Sequence, residues 1–355
     1  MTSVRTVRLV LIGTGNLGRR FARLLEEKHE ELLRRYRLDV RLVGVADSRG
    51  AAIDPKGLSG SEVFEIKAQG GSVGELPGAG RPGMSGVALI DAVEADVLCE
   101  ASPVHLQSGA EPGLTHVRHA LEKGLHVTTP NKGPIVTSYR MLTALAREHG
   151  VALRFDGTVA GGLPALTVGA RDLRGAVIHR MEAMPNLTTG FVLDRLAAGE
   201  TWGEATAAAR EAGVLEGDGV WDLDGWDAAA KLVILAQAVL DCDVTLDDVP
   251  REGIREIDRT WLKAVTEEGR SIRLLATAVR QPDGTYTLGV APTAMPAEHP
   301  LAGLGSHGMG LMMETDIYGT ISTLIHEPTP LPSAATMLRD LLDICESEAY
   351  SIGPK

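Results

Sequence analysis

Three groups of residues have types and spacings that could do chemistry. Gly13, Gly15 and Gly18 stand in the run Gly13-Thr14-Gly15-Asn16-Leu17-Gly18. In such a run the first glycine permits a tight turn, the second lets the backbone approach a pyrophosphate, and the third lets a helix pack on a strand. Asn16 and Leu17 open that helix, whose free N–H groups would face the phosphates. Asp47-Ser48-Arg49 follows the next apolar run. An acid there hydrogen-bonds the adenosine ribose of NAD, whereas Arg49, with Lys56 further on, suits the extra phosphate of NADP; the residues leave both readings open. Thr129-Pro130-Asn131-Lys132-Gly133-Pro134 and Ala101-Ser102-Pro103 each follow an apolar run, where strand ends line a ligand crevice.

The third group is acidic. Glu216, Asp218, Asp222, Asp224 and Asp227 precede an apolar helical stretch that carries Lys231. Asp227 and Lys231 are four apart and share a helical face. This is either a solvated ion pair or a polar site at the mouth of a helix. In the second case Lys231 gives or takes a proton and the carboxylates hold an ammonium group.

These residues need elements to place them. Val7–Ile12 reads as a buried strand, 16–36 as a long amphipathic helix and Arg41–Ala46 as a second strand, a βαβ unit. Residues 50–86, rich in Gly, Ser and Pro, read as a loop-rich excursion that adds little to a sheet. Asp96–Glu100, a helix near 111–123 and His126–Thr129 continue the alternation, which predicts a doubly wound parallel sheet. Val151–Phe155 reads as the first strand of a second domain. There, strands and Ala-rich helices (190–213, 226–240) predict a mixed sheet with helices, with a hairpin turn at Asp283-Gly284. A helix from Leu331 onward ends the chain.

The 355 residues carry a net charge of −12, which argues against a nucleic-acid or anionic-membrane binder. With 44% hydrophobic residues the chain can bury a core. Cys99, Cys242 and Cys345 are isolated, as in a reducing compartment. No signal peptide or membrane span is read, so the expectation is a soluble cytoplasmic protein.

Taken together, GTGNLG, residues 101–136, VAGGLPAL (159–166), PNLTTGFVLDRL (185–196) and DLDGWDAAAKLVILA (222–236) resemble homoserine dehydrogenase. That family reduces aspartate 4-semialdehyde to homoserine with NAD(P)H, using a Rossmann domain and a second domain for substrate and dimer formation. The resemblance implies that Lys231 is the catalytic lysine and Lys132 a second active-site lysine. It places Glu216, Asp222 and Asp227 around the substrate with Thr188, and a monovalent cation such as Na+, held largely by backbone carbonyls, at Asp156, Val159 and Gly161. Four departures stand out. Leu187 replaces a glycine, Val214-Leu-Glu216-Gly-Asp218-Gly replaces an aromatic-x-Glu-Pro-Asp-Pro run, Glu327-Pro328-Thr329 replaces a Gly-Ala-Gly stretch, and Asp156 replaces a Glu.

The sequence thus predicts an α/β protein. Its Rossmann domain spans 1–150 and is completed by 320–355. An α+β domain for substrate and dimerisation spans 151–320, and no regulatory ACT domain is expected. The expected cofactor is NAD or NADP, and the expected assembly a homodimer. Two other readings stand beside it: a related dehydrogenase of another amino-acid aldehyde or oxo acid, motivated by Leu187, Val214 and Glu327, and a non-catalytic dinucleotide sensor. Retention of Lys132, Asp227 and Lys231 speaks against the sensor.

Overall fold

The computed structural model describes residues 4–215 and 217–349. The chain divides into two compact units. One comprises the chain through Gly162 together with the stretch from Thr329, and the other is Leu163–Pro328.

The first unit is built on a seven-stranded sheet. Its strands are β1 (Arg5–Ile12), β2 (Leu38–Asp47), β3 (Gly50–Ile53), β4 (Gly80–Pro82), β5 (Val97–Glu100), β6 (His126–Thr128) and β7 (Leu153–Arg154), in the spatial order β4-β3-β2-β1-β5-β6-β7. β2, β1, β5, β6 and β7 run parallel. β1 is buried along Leu9–Ile12 without alternation, because helices cover both faces of such a sheet. The chain runs from β1 to β2 on one side and returns to β5 on the other. The switch point of the sheet therefore lies between the ends of β1 and β5, where open α/β sheets bind ligands.

Three local expectations need correction here. Residues 50–86 are not merely a loop: β3 pairs antiparallel with β2, β4 pairs antiparallel with β3, and a helix spans Gly60–Ala68. Leu153–Arg154 does not open the second unit; it pairs parallel with β6 and ends the first sheet. The helix Asn16–Glu27 is also shorter than the expected run, which breaks into a short helix and a wide turn ending at Arg37 in the left-handed region. The helix Leu331–Ala349 packs Met337, Leu341, Ile344 and Cys345 into the same core as Val7, Leu9, Phe21 and Val97. Each such fully buried side chain is worth roughly 1.5–3 kcal/mol, so this helix is integral to the unit.

The second unit carries the strands β8 (Ile178–Met184), β9 (Ser271–Arg280), β10 (Tyr286–Met295), β11 (Gly308–Thr315) and β12 (Gly319–His326), in the order β10-β9-β8-β11-β12. The expected mixed sheet is antiparallel throughout: β9–β10 and β11–β12 are sequential antiparallel pairs, and the helical stretch after β8 returns the chain to pair antiparallel with it as β9. The hairpin turns at Asp283-Gly284, with Gly284 at φ +90°. The helix Trp226–Val239 is buried from Asp227 to Ala230 and from Leu232 to Gln237, which explains its nearly all-apolar composition. No described helix is long and apolar enough to cross a membrane.

Candidate active site

The candidate residues fall in both units, and each group is described within its own. In the first unit, Gly13 has φ +92°, and a Cβ there would lie 2.3 Å from the backbone of Ala101. A Cβ on Gly18 would lie 1.9 Å from the Gly13 carbonyl oxygen. Both glycines are therefore required by packing. Gly15 differs: nothing lies within 4 Å of its Cβ position. It is the N-cap of the helix Asn16–Glu27, and no side chain caps that helix. Beside it the Thr14 hydroxyl is buried without a hydrogen-bond partner among the described residues. An uncapped helix N-terminus, an open glycine face and an orphaned hydroxyl together fit a pyrophosphate. Arg20 donates to both the carbonyl and the side-chain oxygen of Asn16, so what Asn16 offers a phosphate is N–H groups, of the backbone and of Nδ2.

Asp47 ends β2 as expected but is not an open acceptor. Its Oδ1 accepts from Ser72 Oγ (2.9 Å) and the N–H groups of Arg49 (2.8 Å) and Gly50 (3.1 Å). Its Oδ2 accepts from Lys67 Nζ (2.7 Å) and the N–H of Val73 (3.1 Å). Burial pushes its carboxyl up, but Lys67 and these hydrogen bonds outweigh burial and hold it below the usual carboxylate range. Ser48 and Arg49 are exposed, and Arg49 rests on the Gly70 carbonyl.

The loops after β5 and β6 are joined by a buried network that sequence reasoning missed. Glu100 is fully buried. Its carboxylate accepts from the Ser102 N–H (3.1 Å) and Asn131 Nδ2 (3.0 Å), with His116 Nδ1 at 3.4 Å. The Thr129 hydroxyl donates to the Glu100 carbonyl (2.8 Å) and accepts from the Asn131 N–H (3.0 Å). Asn131 in turn caps the helix Lys132–Glu148 through the Gly133 N–H (3.0 Å). Ser102 and Thr129 thus serve the loops' own architecture. Pro103 is exposed, and Lys132 stands half-buried at the first position of the capped helix.

In the second unit, Lys231 and Asp227 form an i,i+4 pair that is buried, not solvated. Nζ is 2.8 Å from Asp227 Oδ2, and the side chains are 14% and 5% exposed. Nζ also donates to the Pro185 carbonyl at 2.6 Å. Asn186, unnoticed in the sequence, ties the cluster together. Its Nδ2 donates to Asp222 Oδ1 (2.7 Å) and Asp227 Oδ2 (2.6 Å). Its Oδ1 caps the helix Leu187–Ala197 through the Thr189 N–H (3.1 Å). The Thr188 hydroxyl lies between the Val214 carbonyl and Asp222 Oδ2. Glu216 lies outside the described residues. Asn186 could not be recognised from sequence because its partners are 36 and 41 residues away.

Comparison with known proteins bears on both units. A model of the homoserine dehydrogenase NAD binding domain matches residues 13–156, and the homoserine dehydrogenase model matches 164–342. The homoserine dehydrogenase of Methanocaldococcus jannaschii is 32% identical, with 96% of this chain and 98% of that one covered. The chain belongs to the homoserine dehydrogenase family. An NAD(+)-dependent homoserine dehydrogenase of Pseudomonas canavaninivorans is 30% identical over 96% of each chain. The crystal structure of the Thermoplasma acidophilum homoserine dehydrogenase, 23% identical, shares the fold at a TM-score of 0.81, with 96% of this chain and all of that one covered. As a homoserine dehydrogenase, the chain is an NAD(P)-dependent oxidoreductase.

Proposed function

We propose that this chain interconverts L-aspartate 4-semialdehyde and L-homoserine with Lys231 as the group that protonates or deprotonates the reacting oxygen. The observation that carries this reading is the Lys231–Asp227–Asn186 cluster. Among the described residues, two of the three Lys231 N–H donors are committed, to Asp227 and Pro185. The third is left to meet a substrate oxygen. When the oxygen gains charge on reduction of the aldehyde, a fixed ammonium stabilises and then protonates it. Asp222, with Glu216, supplies negative charge for the substrate's ammonium group, and Thr188 supplies a hydroxyl. Asn186 fixes both aspartates and so sets the orientation of Lys231. Lys132 is assigned the second active-site lysine.

The nicotinamide, when bound, supplies or accepts the hydride. Gly13, Gly15, Gly18 and the helix N-terminus at Asn16 and Leu17 hold its pyrophosphate. Ser102, Pro103 and Thr129 line the strand ends beside it. The saturated Asp47 leaves the exposed Arg49 as the open group at the end of β2, so the cofactor is NAD or NADP. A cytoplasmic homodimer completes the proposal. Exposed Ile317, Tyr318 and Leu324 on the β11–β12 hairpin support the pairing of copies, and light scattering would report the mass.

Lys231→Met tests the central role. Homoserine oxidation should fall by about 100- to 10,000-fold, the usual worth of a positioned acid or base. Binding of the dinucleotide, measured by calorimetry, should be unchanged. A variant that retains more than a tenth of the parental rate would rule Lys231 out as the proton carrier.

A further inference from the structure

The resemblance to homoserine dehydrogenase places a monovalent cation among Asp156, Val159 and Gly161. Here the loop already holds a cation of the chain's own. Arg339, on the helix Leu331–Ala349, donates from one terminal nitrogen to Asp156 Oδ2 at 3.0 Å and from the other to the Gly162 carbonyl at 3.0 Å. Thr336, on the same helix, donates its hydroxyl to the Gly161 carbonyl at 3.0 Å. Asp156 is buried, with a side chain 4% exposed, and its backbone N–H donates to Asp340 Oδ2 at 3.2 Å. The turn these groups hold is an unusual one. Ala160 and Gly161 are both left-handed, at φ 52° and 58°, and Ala160 is almost fully buried.

Of the carbonyls such an ion would use, that of Gly161 already accepts from Thr336 and that of Asp156 from the Val159 N–H at 3.3 Å, and a cation added here would meet the guanidinium across a few ångströms of poorly screened space. The residues present therefore do not fit the expected ion. We propose that Arg339 takes its place. The guanidinium neutralises Asp156 and engages a carbonyl of the turn, and the Thr336 hydroxyl engages the neighbouring carbonyl. The loop Asp156–Gly162 is then set without any ion from solution, and the protein is indifferent to sodium and potassium. This inference concerns the folding of the loop and does not rest on the catalytic roles proposed above.

The experiment compares melting temperature, and separately the rate of homoserine oxidation, in sodium, potassium and choline chloride at equal ionic strength. The parent protein should give the same melting temperature and rate in all three salts. Arg339→Met, which keeps the aliphatic stem but removes the charge, should melt lower in choline and recover in sodium or potassium. Arg339→Lys should remain indifferent to the salt. Should Arg339→Met not fold, Arg339→Gln carries the same comparison. A parent protein that melts higher in sodium or potassium than in choline overturns the proposal. So does an uncharged variant whose melting temperature is the same in all three salts, because the loop would then have no use for a cation. The melting readout separates this outcome from any failure of the catalytic assignment.

Discussion

Single residues divide by how local their task is. Gly13, Gly15 and Gly18 are legible in sequence because their roles are set within one turn. The structure separates those roles further, since Gly13 and Gly18 are demanded by packing and Gly15 is not. That distinction yields a paired prediction. Gly15→Ala places a methyl group in open space at an ordinary φ of −70°, so stability should change by less than about 1 kcal/mol. Affinity for the dinucleotide should nevertheless fall at least about tenfold, or 1.4 kcal/mol, as the methyl group meets the pyrophosphate. Gly13→Ala should instead lose roughly 4 kcal/mol or more of stability, because a left-handed residue is forced against the backbone of Ala101. Urea unfolding and calorimetric titration with NAD and NADP would separate the two effects. Equal affinity of Gly15→Ala and parent would show that the pyrophosphate lies elsewhere. By contrast, Asn186, Glu100 and Arg339 gave no sequence signal. The partners that define their roles, Asp227, Asn131 and Asp156, lie 41, 31 and 183 residues away, and no local pattern encodes such a meeting.

At the scale of elements, the parallel strands were legible because buried apolar runs alternate with amphipathic helices. In the first unit, the strands missed were those with weak apolar content. β3 reads Gly-Ala-Ala-Ile and β4 Gly-Arg-Pro, short segments at one side of the sheet whose pairing, β3 with β2 and β4 with β3, comes from tertiary context, not propensity. Antiparallel order in the second sheet was equally hidden, since pairing direction follows from connections across long separations. The loops after β5 and β6 illustrate what elements do for the site. Glu100 joins Ser102, His116 and Asn131, and Asn131 caps the helix that begins with Lys132. Glu100→Gln keeps the shape but replaces a charged acceptor with an amide whose NH2 faces other donors. Loss of one such buried acceptor costs roughly 1–3 kcal/mol. The variant should unfold at lower urea by that amount, and its KM for the dinucleotide should rise more than its KM for homoserine. Asn131→Asp retains the cap but sets a second carboxyl group against Glu100 in place of the donor, and should destabilise more than Glu100→Gln. If KM for both substrates stayed at the parental value, the network would serve stability alone.

At the scale of the whole molecule, the two units are not two halves of the chain: the last helix returns to the first unit's core. Its Asp340 is almost fully buried, and its Oδ2 accepts from Thr128 Oγ1 of β6 at 3.2 Å and from the Asp156 N–H. Burial first, and then the charge of Asp156, raise its carboxyl from 3.8 to about 7, with Arg339 on its own helix opposing. Cys99 of β5 is buried, and its thiol is pushed well up by burial first and then by the charges of Asp340 and Glu100. A raised acid binds its proton more tightly in the folded state than in the unfolded one. Its contribution is therefore complete below pH 4 and is lost as pH rises through about 7. Parental stability, measured by urea unfolding, should fall by roughly 2–3 kcal/mol between pH 5 and pH 8 on account of this one group. Asp340→Asn carries no proton to lose and should lack that part of the slope, becoming the more stable of the two at pH 8. Thr128→Val removes one hydrogen bond to the ionised form and should shift the loss to higher pH without abolishing it. Parallel stability curves for parent and Asp340→Asn across this range would show that Asp340 stays ionised in the folded protein. The closing helix would then be held to the unit by its apolar face and by Arg339, with no buried proton involved.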